Sequence, residues 1–171
     1  IGFDMDPELG VSEFASPQRD GQPEIERAVR LISDVPCLYS HFDAVPDIVV
    51  IINKNRQVVF ANRAAEVALR VSDRSAVYGL RLGEVLNCVH AGQSQSGCGT
   101  TAFCRECGAV RAMLASLAGN SSVDECRVVT RGADSLDFRV TSTPYEVAGE
   151  RYSIFVVAEI SHEKRRQVLE R

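Results

Sequence analysis

Between residues 124 and 160 three runs rich in β-branched and aromatic residues follow one another: DECRVVTR, LDFRVTSTPYEV and RYSIFVVAEI. Only the turn signals GADS and AGE separate them. Links this short join antiparallel neighbours, because parallel neighbours need a crossover of about a dozen residues or more. Upstream, DIVVIIN (47–53) and QVVFAN (57–62) flank NKNR and read as a hairpin. The order β-β, helices, β-β-β predicts an α+β domain, a five-stranded antiparallel sheet with helices on one face.

The helices follow from spacing. QPEIERAVRLIS places Ile25, Ala28, Val29 and Ile32 on one face, with Pro23 suited to a first turn. PCLYSHFDAV predicts a short helix ending before Pro46. In NRAAEVALRVS, Asn62 is the candidate N-cap. TTAFCRECGAVRAMLASLAGN reads as a single long helix with Phe103, Cys107, Val110, Met113, Leu114 and Leu117 on one face, closed by Gly119-Asn120. Residues 1–22 are acidic, broken by prolines and without periodicity, which predicts a loosely ordered arm. The closing SHEKRRQVLER is charged and helix-forming.

Composition narrows the setting. A net charge of −4 and a pI near 5.4 argue against a nucleic-acid surface. No apolar run reaches the length of a bilayer span, and the first twenty residues carry no signal-peptide pattern. The expectation is therefore a cytoplasmic chain, and the missing initiator Met points to a piece of a longer one. In a reducing compartment, clustered cysteines bind metal or do redox chemistry more often than they form structural disulfides.

Four of the six cysteines, Cys88, Cys98, Cys104 and Cys107, fall in CVHAGQSQSGCGTTAFCRECGAV. A helical Cys-x-x-Cys pair puts two thiols on one face, and a helix N-terminus favours the thiolate that metals bind. Gly97, Gly99 and Gly108 allow close backbone approach. These four make a candidate metal site, with His90 as an alternative ligand to Cys88. The spacing of Cys98, Cys104 and Cys107 resembles the first three ligands of vertebrate-type [2Fe–2S] ferredoxins, although the fourth candidate lies upstream. A [2Fe–2S] or [4Fe–4S] cluster is favoured and zinc is next; a thiol switch without metal stays open. Cys37 and Cys126 read as packing residues, and His41 as a core or interface histidine.

VVFANRAAEVAL is similar to a pattern of the PAS sensor domain, a strand ending in Asn followed by small residues that open a helix. DIVVII and YSIFVVAEIS match that family's first and last strands. AEIS stands where PAS domains often carry an Asp-Ile-Thr exit motif, with Glu159 and Ser161 in place of the Asp and Thr. The resemblance covers residues 45–161. It implies a homodimer that senses a cofactor, ligand or partner and passes the signal through a C-terminal helix to an output domain, and a pocket able to hold a small molecule or haem. The GCGT…FCxxCGA stretch resembles one in a subgroup of bacterial sensor kinases, so a histidine kinase is the favoured whole.

The expected organisation is an arm (1–22), a helical segment (23–44), a PAS sensor domain (45–161) with a cysteine-rich insertion at 86–108, and the start of a signalling helix (162–171). The apolar face of residues 25–32 would lie outside the sheet and be covered by a second copy. SHEKRR resembles the phospho-acceptor box of histidine kinases, but His162 follows a strand directly and no proline comes after it. His162 is read as the first turn of the exit helix, and the chain as a non-enzymatic segment without kinase nucleotide motifs. The rival readings are a small electron-transfer protein using the same thiols, and a ligand sensor whose cysteines are structural.

Overall fold

In the computed structural model, which describes residues 11–132 and 134–170, the two upstream runs become β1 (Ile48–Ile52) and β2 (Val58–Ala61). They pair antiparallel, with Val50 opposite Ala61. The downstream runs become β3 (Ser122–Val129), β4 (Ser135–Val147) and β5 (Glu150–Glu159). These form the expected meander, with Cys126 opposite Phe138 and Val140 opposite Val157. β5 then pairs with β1, closing a five-stranded antiparallel sheet in the order β2-β1-β5-β4-β3.

Both faces of the sheet are covered. On one, Val50, Ile52, Phe138, Val140, Phe155 and Val157 pack with Ala112 and Met113 of α5 (Gly108–Leu117). On the other, Ile51, Val59, Phe60 and Tyr152 meet Ile25, Ala28 and Ile32 of α1 (Gln22–Ser33) and Leu38 of α2 (Leu38–Asp43). A strand buried on both sides gains from an apolar residue at every position, which is why IVVII shows no alternation. The apolar face at 25–32 is thus spent on the chain's own sheet. It offers no surface to a second copy, contrary to the expectation that dimerisation would cover it.

Asn62 links the two layers. Its side chain caps α3 (Arg63–Leu69) by accepting from the Ala65 N–H at 3.1 Å, and it also accepts from the Val49 N–H at 3.0 Å. Its amide donates to the carbonyls of Phe42 and Asp47, both at 2.9 Å. One buried side chain therefore ties α2, β1 and α3 together, and each such bond contributes about 1 kcal/mol.

Several local expectations do not hold in the structure. The single helix from 101 to 120 is broken: residues 102–105 form a 3₁₀ turn, Cys107 is extended (φ −76°, ψ 114°), and α5 starts at Gly108. The break follows from contact with the sheet, because Gly108 lies so close to β3 that a side chain there would overlap the Glu125 carbonyl. Phe103, expected on the core face, is 64% exposed. Residues 11–20, expected within a loose arm, pack along the cysteine loop: Glu13 N–H donates to Thr100 O at 2.9 Å and Ala15 N–H to Gly99 O at 3.0 Å. Residues 1–10 lie outside the described residues. Cys37, expected in a packing role, is exposed, and His41, expected in the core or at an interface, is not in the core.

At the exit, α6 (Ser161–Leu169) begins where β5 ends, and His162 is exposed on its first turn. The Asp137 N–H donates to Ser161 Oγ at 3.0 Å, and the Ile160 N–H to Asp137 O at 2.8 Å. Among the described residues no helix is long and apolar enough to cross a membrane.

Candidate functional site

The four clustered cysteines come from three separate pieces of backbone. Cys88 follows α4 (Leu82–Val85) in an extended conformation, and its N–H donates to Gly83 O at 2.7 Å. An isolated bridge to Thr130 holds it beside the end of β3. Cys98 sits in a loop that turns at Gly97 and Gly99, with φ of 80° and 91°, a region L-residues enter at a cost of about 1–2 kcal/mol. Cys104 lies in the 3₁₀ turn, 3.2 Å from Thr101 Oγ1. Cys107 occupies the N-cap position of α5.

All four line one cavity of about 280 Å³ between α4, α5 and the sheet. A fifth thiol, Cys126, reaches the same cavity from β3. Its signal in the sequence is alternation: Cys126 and Val128 point inward while Glu125, Arg127 and Val129 point out. Leu82, Met113, Phe138 and Phe155 supply an apolar remainder of the wall. His90, the alternative ligand, also borders the cavity; its ring stacks on Phe103 at 4.4 Å and its Nδ1 lies 3.0 Å from Gln93 Oε1.

The thiols differ electrically. Burial pushes Cys98 up to about 12, so it stays protonated unless a positive centre displaces the proton. Cys107 is brought down to about 6, first because the Cys126 thiol donates to its sulfur and also because the Ala109 and Val110 N–H groups at the start of α5 point at it. Cys126 is raised in turn, by that same bond and by burial. All six cysteines are free thiols.

Among the described residues no three His, Cys, Asp or Glu side chains gather as a shell for a single ion. A zinc site needs four ligands converging at about 2.0–2.3 Å on one point. The four cysteines and His90 share a wall without sharing a centre, so neither the four-thiol zinc site nor its His90 variant forms. The donor set, four thiols on one cavity wall, is of the chemical class that iron–sulfur clusters take.

Residues 37–106 match the PAS domain family. The chain carries a PAS domain. PAS domains are sensory modules of signalling proteins, and the five-stranded sheet with its helices is the PAS fold. The structure is similar to the PAS domain of BvgS from Bordetella pertussis, at 18% identity, covering 81% of this chain and 96% of that one, with a TM-score of 0.52. It is also similar to the PAS domain of an HTR-like protein from Haloarcula marismortui, at 17% identity over 79% of this chain and 98% of that one, TM-score 0.51. A LOV protein of Rhodobacter sphaeroides aligns at 11% identity over 82% and 69%, TM-score 0.51. Identities this low carry the fold alone. No curated protein matches the chain. The cysteine cavity lies between the PAS helices and the sheet, so the thiols line the interior of the PAS domain itself.

Proposed function

We propose that this PAS domain senses redox state, oxygen or iron through an iron–sulfur cluster held by Cys88, Cys98, Cys104 and Cys107. The observation that carries this reading is the convergence of four thiols from three backbone segments on one cavity wall, without a single-ion shell. When bound, the cluster would supply one-electron chemistry and sensitivity to oxidants. The chain's own residues bind it, seal it with Leu82, Met113 and Phe138, and carry its state outward. The route starts at Phe155 and Val157, which touch the cavity on β5, and continues into Ile160 and α6. From α6 the signal would pass to an output domain, a histidine kinase being the favoured one.

Anaerobic reconstitution with iron and sulfide tests the reading. Iron, sulfide and a visible absorption band should appear together, and should be lost almost entirely in Cys98→Ser, Cys104→Ser or Cys107→Ser. Cys37→Ser and Cys126→Ser should retain them. Protein that takes up neither iron nor sulfide, or that loads equally in all three of these ligand variants, overturns the proposal. The apolar part of the wall supports a second reading, a small apolar ligand in the same cavity. Native mass spectrometry of a small molecule co-purifying with the chain would favour it.

A further inference from the structure

Beside the Cys98 carbonyl, and not among the residues that line the cavity, two arginines are buried: Arg56 is 3% exposed and Arg81 1%. A guanidinium out of water needs a counter-charge or a full set of acceptors. Arg81 has acceptors: it donates from Nε to Asn55 O at 3.0 Å, from Nη1 to Ser96 O at 3.0 Å and Cys98 O at 3.2 Å, and from Nη2 to Gln18 O at 2.7 Å. Arg56 is less well served. Its Nη2 donates to Ser16 O at 2.9 Å, and its buried Nε has no partner among the described residues.

Carboxylates are scarce here. Glu84 pairs with Arg19 and accepts from the Arg81 backbone N–H at 2.9 Å. Asp20 is taken up by the amides of Asn53 and Asn55. Three guanidiniums therefore share one carboxylate. What meets both guanidiniums is the Cys98 backbone, whose carbonyl accepts from Arg81 Nη1 at 3.2 Å and from Arg56 Nη2 at 3.5 Å; the Cys98 thiol beside it would carry negative charge only when bound to a positive centre. The backbone adds a second sign. Arg56 is held at φ 65°, in a turn where glycine or asparagine would sit at lower cost. Gly99 leaves room for it, since a Cβ there would stand 3.0 Å from Arg56 Nε.

We propose that Arg56 and Arg81 are the fixed counter-charge of the cysteine cavity, matched to an anionic, thiolate-held centre and not to a neutral ligand. This rests on the cluster reading above and deepens it, by assigning what sets the centre's potential. Were a cluster held there, its reduced form would carry one more negative charge, and a buried cation beside a ligating cysteine would stabilise that form more than the oxidised one. The pair therefore holds the potential up, and Glu84 opposes it.

The test is potentiometric titration of the reconstituted full chain, followed by visible absorption. Arg56→Gln should move the oxidised-to-reduced equilibrium at least tenfold toward oxidised, a shift of about 59 mV for one electron. Arg56→Lys, which keeps the charge, should stay near the unmodified chain. Glu84→Gln should move in the opposite direction, and decides the matter if Arg56→Gln fails to fold. Equal potentials in all four proteins overturn the inference while leaving the cluster reading intact. An unmodified chain that takes up no iron and sulfide removes both.

Discussion

The two faces of the sheet are made from alternate residues of the same strands, yet they do opposite work. Against α1 and α2 the face is filled with large side chains: Phe60 is fully buried, and Tyr39 packs edge-on against it at 4.9 Å with an interplanar angle of 82°. Against α5 the face also carries Phe138 and Phe155, yet a cavity of about 280 Å³ is left that five thiols help to line. Dense packing stabilises, whereas a void forfeits contacts its lining would otherwise make. The α5 face holds the larger cluster of buried side chains and still leaves a hole beside its thiols, whereas the α1 face is filled.

The comparison is broken hardest by Phe60→Ala, which should cost about 3–5 kcal/mol in urea unfolding. Iron bound per folded molecule should not change, because the lost ring lies on the far side of the sheet. Reduced loading at equal folded fraction would show that the two faces are not separable. Gly108→Ala comes next. The new methyl would collide with the Glu125 carbonyl, so α5 must move off β3 at about 1–3 kcal/mol, and here loading should fall with stability because Cys107 moves too. Retained loading would mean that the N-terminus of α5 is not needed to place that thiol.

Smaller effects sharpen the comparison at the exit. The ion pair with Arg127, with Lys164 close by, holds the Asp137 carboxyl below the usual aspartate range. Its folded value lies below its unfolded one, so the stabilisation is complete above about pH 4 and is lost as pH falls through the lower folded value. Asp137→Asn should flatten that acid limb by no more than about 1 kcal/mol, measured as the urea midpoint against pH. An unchanged limb would show that the pair contributes nothing to docking α6. The smallest effect belongs to His162→Ala, at an exposed position, which should change stability by less than about 0.5 kcal/mol. Loss of folding, or phosphate transfer to His162 by a kinase, would contradict its reading as a helix residue only.

What could be read from the sequence was local. The β-branched runs, their short turns and the Asn62 cap each announce themselves within a few residues, so the five strands and α3 were legible. The apolar face at 25–32 was also legible, but not its partner, because helical spacing names a face without naming what covers it. Residues 102–107 read as helix because nothing nearby says that Gly108 will meet a carbonyl seventeen positions on. In the candidate site, the cluster at 88–107 stood out by density alone. Cys126 did not, since its approach depends on β3 pairing with β4. Arg56 and Arg81 were illegible for the same reason: their acceptors at Ser16, Gln18, Ser96 and Cys98 are brought together only by the fold.

The course of residues 11–20 bears on where the inherited unit begins. A chain starting at α1 would keep every strand and every cysteine. It would lack the carbonyls of Ser16 and Gln18, and with them the outer wall of the compartment that holds both arginines. Water would enter through that seam and dissolve the charge imbalance beside Cys98. Residues 11–20 are therefore packed as part of the domain, and moving this domain into another protein would have to carry them along.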